Sequence, residues 1–354
     1  MEKRIFALFM IFILSFGLVA CEKNDISQKN NTTSTEVSKK TNDKPFEGTT
    51  LSVLVAYGGA DTTFEKFTEE TGIKVDFLSM STGSALAKLQ AEDGKTEADI
   101  WFGGGVDSYL NARDLGYLEP YKSPELSAIN PQYCDKDGYF SGLALVPAGW
   151  IVNNDILEEK GLEPPKTWED LADPKYKGEV IMADPAISGT NYAIVSGLIQ
   201  AWGEEKAWDY FERLSKNIDF FAQGGGEPLE KVAAGEFAIG IVAITGGTYA
   251  VGETSPTSVI YPEDLIPWTP APIAIFKNTK NLEAAKVFVD WYLSKHGQEI
   301  LREADARIMA RDDVEVPELM KELDKSKLID FDLELMGSER EAILKKWKEI
   351  VGDK

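Results

Sequence analysis

Five short polar turns carry the chain's best candidates for chemistry. Ser81-Thr82-Gly83-Ser84, Gly103-Gly104-Gly105, Ser188-Gly189-Thr190-Asn191 and Gly224-Gly225-Gly226-Glu227 each precede an expected helix, and Thr245-Gly246-Gly247-Thr248-Tyr249 follows an expected strand. Free backbone N–H groups at such turns, helped by the helix dipole, hold an oxyanion without any charged side chain. Glycine lets the ligand approach the main chain closely. The same residue types also make ordinary helix caps, so one turn alone is a weak sign. Several of them at strand ends point to a crevice lined to receive one ligand.

Catalytic patterns are poor by comparison. His296 is the sole histidine and stands between Lys295 and Gly297 at an expected helix end, where a surface residue favoured by the dipole is the ordinary case. No Gly-x-Ser-x-Gly elbow accompanies it, which argues against serine hydrolysis. No carboxylate pair stands out for glycoside cleavage, and Trp150, Trp202 and Trp268 are scattered. No Cys-x-x-Cys or His-rich metal pattern is present, so neither a metal nor a cofactor is expected.

The elements that must position the turns alternate between short β-rich runs and helical segments, the pattern of βα units around a parallel sheet. Strands are predicted at 51–56, 73–78 and 98–102, with helices at 61–71, 85–92 and 106–115. A second set follows, with strands at 180–182 and 238–243 and helices at 192–201, 204–215 and 229–234. The run 271–276 and the helix 282–294 are expected to return to the first set. The fold class is therefore α/β with two lobes joined near 145–150 and 265–271, and the crevice between them is the expected ligand site.

The chain has 354 residues, 43% of them apolar, with 8 Trp and 17 Phe, enough to fill two cores. It opens with Lys3 and Arg4, an apolar run from Ile5 to Val19 too short for a permanent span, and Ala20-Cys21. Leu18-Val19-Ala20-Cys21 resembles the bacterial lipobox, which implies an exported protein lipidated on Cys21. The polar stretch from Glu22 to Lys44 reads as a solvated tether. With 59 acids against 37 Lys and Arg the formal charge is -22, and export, which removes Glu2, Lys3 and Arg4, takes it to about -23. Nucleic acid and acidic headgroups are poor partners for such a body. Only Cys134 remains besides Cys21, so no internal disulfide forms in the exported protein.

In order and spacing, a series of blocks resembles the ferric-iron-type group of ABC-transporter solute-binding proteins. They are Ser81 to Ser84, Ala98-Asp99-Ile100-Trp101-Phe102-Gly103-Gly104, Asp184 to Tyr192, Tyr261-Pro262-Glu263-Asp264, Asn281 to Lys286, Ala306-Arg307 and Ala310 to Val314. The resemblance covers about residues 50 to 315. It implies the type II periplasmic-binding-protein fold, with a hinge and an interlobe ligand cleft, and a protein that performs no reaction itself. Its implied partners are a small-molecule ligand, a membrane ABC permease, and the membrane through the lipid anchor, with the protein acting as a monomer.

Carriers of this group take ferric iron, phosphorylated sugars or phosphonates, and thiamine. Its iron carriers use adjacent tyrosines, a pair that this chain lacks. The resemblance then favours an oxyanionic solute held by Ser81, Thr82, Gly83, Ser84 and Gly104 on one side and Ser188, Gly189 and Thr190 on the other. Thr245, Gly246 and Tyr249 complete the cup, Tyr57, Gly58 and Gly59 reach it from the first strand, and Glu227 takes hydroxyl or amine donors. The alternatives are an iron carrier using Tyr57, Tyr192 or Tyr249 with Glu227, a thiamine carrier, and a secreted hydrolase. The expected domain bounds are a signal at 1–20, a tether at 21–47, lobe 1 at 48–146 with 268–314, lobe 2 at 147–267, and a helical C-terminal segment at 315–354.

Overall fold

The structure, a computed structural model, describes residues 44–330, 332–352 and 354. The secretion signal, Cys21 and nearly all of the tether lie outside the described residues. Residues from Lys44 onward form one compact unit.

The first lobe begins with three β–α steps. β1 (Thr50–Ala56), α1 (Asp61–Thr71), β2 (Lys74–Ser79), α2 (Thr82–Ala91), β3 (Ile100–Gly103) and α3 (Val106–Asp114) follow one another, and a two-residue β4 (Leu118–Glu119) comes next. β1 lies between β2 and β3 and runs parallel to both. Its alternation sorts its side chains: Val53 and Val55 face the core built by α1, whereas Leu54 faces the core on the opposite side of the sheet. Helix α1 buries Phe64 and Phe67 and stops at Gly72, whose φ of 78° is the left-handed cap that glycine adopts without strain. Phe64, Phe67, Phe102, Phe288 and Tyr292 then interlock at ring separations of 4.6 to 6.3 Å.

The long strand β5 (Ser141–Asn153) joins the lobes. All thirteen of its residues are buried. It is followed by α4 (Asn154–Lys160), α5 (Trp168–Leu171), β6 (Val180–Ile181), α6 (Gly189–Trp202), α7 (Glu204–Ser215), α8 (Glu227–Ala233), β7 (Ile239–Ala243), α9 (Gly246–Val251) and β8 (Thr257–Ile260). β9 (Trp268–Phe276), α10 (Leu282–Leu293), α11 (Lys295–Ala304) and β10 (Ile308–Met309) return to the first lobe. The chain ends with α12 (Leu333–Ser338) and α13 (Arg340–Val351). No described helix is long and apolar enough to cross a membrane.

β5 changes partners at Pro147. Residues up to Pro147 pair antiparallel with β9, and Ala148 onward pair antiparallel with β7 and β8. Proline has no N–H to offer a ladder, so it suits the residue where one ladder ends and the next begins. Its carbonyl accepts from Ile244 N at 2.8 Å, which starts the second ladder. The parallel sheet expected from the βα units is thus only part of a mixed one. Among the strands, parallel pairing is found within β1–β3 and between β6 and β7, while β5 and β9 run antiparallel to their neighbours in a mixed sheet. The result is the two-lobed α/β fold of type II periplasmic binding proteins.

Candidate ligand cleft

The carboxyl ends of β1, β2, β3 and β7, the starts of α2, α3, α6 and α9, and the turn after α11 open on one cleft of about 970 Å³. Strand ends between two α/β lobes are where such folds take ligands. Local sequence explains the arrangement. Helix α6 begins at Gly189, with the Ser188 hydroxyl accepting from Asn191 N at 3.3 Å and from Asn191 Nδ2 at 3.0 Å. The hydroxyl accepts both bonds, so its own proton stays available to a ligand. The N–H groups of Gly189 and Thr190 find no acceptor among the described residues.

Glycine is required where the lobes touch. A Cβ on Gly105 would stand 2.4 Å from Gly189 Cα, and one on Gly189 would stand 2.5 Å from Gly105 Cα. The starts of α3 and α6 therefore meet backbone to backbone. Gly104 holds φ at +91°, and a side chain there would strike Thr82 Cγ2.

Of the residues expected in the site, Tyr57, Gly58, Gly59, Ser81, Thr82, Gly104, Ser188, Gly189, Thr190, Thr245 and Gly246 line the cleft. Gly83, Ser84, Glu227 and Tyr249 are not among its lining residues. Gly83 donates its N–H to Ile187 O at 3.1 Å and is too close to Ala186 for any side chain, so it serves the contact between lobes. Ser84 is exposed and accepts from Ser81 Oγ at 2.8 Å. Glu227 Oε2 accepts from Gln223 N at 3.0 Å, and its other oxygen lies 3.9 Å from Lys231. Tyr249 donates to Tyr261 Oη at 3.4 Å.

The main omission from the sequence reading is the turn at Ala304 to Arg307. Arg307 is the one cation among the lining residues and is only 7% exposed. Its guanidinium lies 3.7 Å from the centre of the Tyr57 ring, a cation–π contact. Nε and Nη2 donate to Asp305 Oδ2 at 2.7 and 2.6 Å. The other Asp305 oxygen accepts from Gly247 N at 3.0 Å, while Gly246 N donates to Ala306 O at 2.8 Å. The turn is thereby tied to the start of α9 across the cleft. A guanidinium has five N–H donors and Asp305 takes two, which leaves three for a ligand. Glu230 is the remaining charged residue of the lining. Arg307 had a sequence signal in the Ala306-Arg307 block, but no local pattern places that block at a strand end.

Tyr57 is 4% exposed, and its hydroxyl has no hydrogen-bond partner among the described residues. Burial pushes its phenol far above the ordinary tyrosine value; Arg307 opposes that rise and Asp305 adds to it. Tyr192 is fully buried, donates to Met336 O at 2.6 Å, and is likewise raised by burial. Of Tyr57, Tyr192, Tyr249 and Glu227, the residues of the iron alternative, only Tyr57 is among those lining the cleft. His296 lies in the first turn of α11, not at its end, and its Nε2 is 2.9 Å from Glu70 Oε1, on the surface. What the cleft provides is hydroxyls, unpaired amides and one oriented cation, a set suited to gripping oxygen atoms.

The family model of bacterial extracellular solute-binding proteins matches residues 97–333. The chain belongs to this family. Like the family's other members it is a solute-binding protein of the ABC-importer type. It is 34% identical over 308 residues to an uncharacterized protein of Haemophilus influenzae (strain Rd), a match covering 83% of this chain and 89% of that one. The periplasmic binding protein AfuA of Actinobacillus pleuropneumoniae, solved with fructose-6-phosphate bound, superposes with a TM-score of 0.80 at 31% identity. That match covers 86% of this chain and 99% of AfuA. Iron-bound HitA of Pseudomonas aeruginosa superposes with a TM-score of 0.73 at 20% identity over 85% of this chain and 99% of its own, a likeness of fold alone.

Proposed function

We propose that this solute-binding protein is anchored to the outer face of the cell membrane by lipid on Cys21 and captures a small phosphorylated sugar or phosphonate as a monomer. The loaded protein then presents both closed lobes to a membrane permease, and no reaction takes place in the cleft. The observation that carries the ligand class is the pairing of Arg307 with the unpartnered amides of Gly189 and Thr190 on one cleft. A phosphate or phosphonate head has three oxygens to satisfy such donors, and a planar carboxylate has two. The similarity to AfuA, with its bound fructose-6-phosphate, supports the same class. Iron is disfavoured, because of Tyr57, Tyr192 and Tyr249 only Tyr57 lines the cleft, and the Tyr192 hydroxyl is spent on Met336 O.

Calorimetry with fructose 6-phosphate, glucose 6-phosphate, 2-aminoethylphosphonate, ferric citrate, thiamine and unphosphorylated fructose tests the proposal. Binding of a phosphorylated or phosphonate solute and not of fructose is expected. Binding of ferric citrate or thiamine alone would overturn the ligand class. The anchor is tested by palmitate labelling in cells, which Cys21→Ser should abolish.

A further inference from the structure

Helices α3 and α6 meet at the cleft and are gripped again, behind it, by the C-terminal segment. Helix α13 sits on the second lobe, where the Trp347 ring packs 5.5 Å from Phe211 and 5.3 Å from Phe221. Helix α12 reaches over to the first lobe. A Cβ on Gly337 would stand 2.6 Å from Leu110 Cβ, and the two outer nitrogens of Arg113 each donate to Glu334 at 2.8 Å.

Arg340, at the start of α13, lies at the junction. Its Nε donates to Asp107 Oδ2 at 2.8 Å, its Nη2 donates to Ala186 O at 3.2 Å, and its plane lies over the Tyr192 ring. Arg340 is 9% exposed and Asp107 1%. Asp107 stands two residues after Gly105, and Ala186 three before Gly189. One guanidinium therefore fastens the two backbone segments that bring those glycines into contact. The other Asp107 oxygen has no hydrogen-bond partner among the described residues, so Arg340 is the cation that compensates this buried carboxylate.

We infer that Arg340 is a positioning residue for the cleft. By holding Asp107 and Ala186 together it sets the spacing of the α3 and α6 starts and favours the closed arrangement of the lobes. Arg340 itself is not among the residues lining the cleft. Without the guanidinium, Asp107 keeps only the Ser108 hydroxyl, which donates to Oδ2 at 3.2 Å, and is a buried charge without a counter-ion that moving α3 away from α6 relieves. If closed protein is the competent form, ligand affinity falls by the fraction of closed protein lost. Only that effect on affinity rests on the proposed ligand class; the fastening of α3 to α6 does not.

The test is hydrogen exchange on the full-length protein, with small-angle scattering and fructose 6-phosphate calorimetry alongside. In Arg340→Met, exchange should rise about tenfold in peptides covering 103–110 and 186–192, with a larger radius of gyration and β1 unchanged. Arg340→Lys can satisfy Asp107 but cannot also reach Ala186, so protection should return at 103–110 and not at 186–192. Fructose 6-phosphate should bind Arg340→Met about tenfold more weakly than the natural protein. Unchanged exchange in both peptides, or a uniform rise over the whole chain, overturns the inference. If fructose 6-phosphate binds neither protein, the ligand class fails while exchange still judges Arg340. Should Arg340→Met not fold, Arg340→Lys decides alone: exchange unchanged at 186–192 overturns the inference.

Discussion

Arg307 stands between two claims on its charge. Asp305 takes two of its donors and the Tyr57 ring covers one face, which fixes the guanidinium before any ligand arrives. Such preorganisation spares the ordering cost that a free arginine would meet on binding. Arg307→Ala should weaken binding of a sugar phosphate by about 10- to 100-fold, the range set by losing a charge-assisted hydrogen bond of about 1.5–3 kcal/mol. Calorimetry gives that number directly, and Arg307→Lys should recover part of it, because an ammonium keeps the charge without the planar fork. Little of this was legible in the sequence. A Ser/Thr-Gly turn declares a helix start through its own residue types, so eleven of the expected residues do line the cleft. Arg307 declares nothing locally, because its place depends on how α11 and β10 pack against strands far away in sequence. Glu227 is the opposite case. Its acid reads as a ligand group beside three glycines, but its carboxylate is engaged by Gln223 N of its own loop.

The helices whose starts build the cleft begin earlier than hydrophobic periodicity suggests. α2 starts at Thr82 and not near 85, and α6 at Gly189 and not near 192, since the polar turn forms the first helical turn before apolar spacing sets in. This extension is what brings Gly105 and Gly189 into contact. Gly105→Ala would place a methyl 2.4 Å from Gly189 Cα, so the two starts must part. Ligand affinity should fall by tenfold or more, whereas Gly116→Ala, at a glycine of the first lobe with open space but φ of +74°, should cost stability and leave affinity alone. Calorimetry beside urea denaturation separates the two effects. Among the strands, β1 was legible by its alternation and length. β5 was not, because thirteen consecutive buried residues show no period of two, and three of its four partner strands, β8, β9 and β10, lie more than a hundred residues later in the chain.

At the scale of the molecule, many phenols are buried together. Burial raises Tyr57, Tyr109, Tyr192, Tyr210, Tyr261 and Tyr292 well above the ordinary tyrosine value. The folded protein keeps these protons while the unfolded chain releases them above about pH 10, so the native state binds more protons there and stability falls as pH rises. The contribution is complete below pH 10 and is lost through the alkaline range. Urea midpoints should hold roughly level between pH 8 and 9.5 and drop steeply by pH 11; a midpoint that stays level to pH 11 would contradict this burial. The two-lobed α/β organisation was legible from the alternation of elements and from the blocks quoted above. The packing of the C-terminal helices was not, because an amphipathic helix announces that it has a buried face without naming the surface that covers it.

β5 is a rail common to both lobes, changing ladders at one proline. A lobe that melted alone would strip its neighbour of a central strand and expose the ladder's unpaired amides to water. In the proposed binding cycle the lobes swing against each other, yet with this strand in common neither can come apart by itself: what is two bodies in motion is one body in melting.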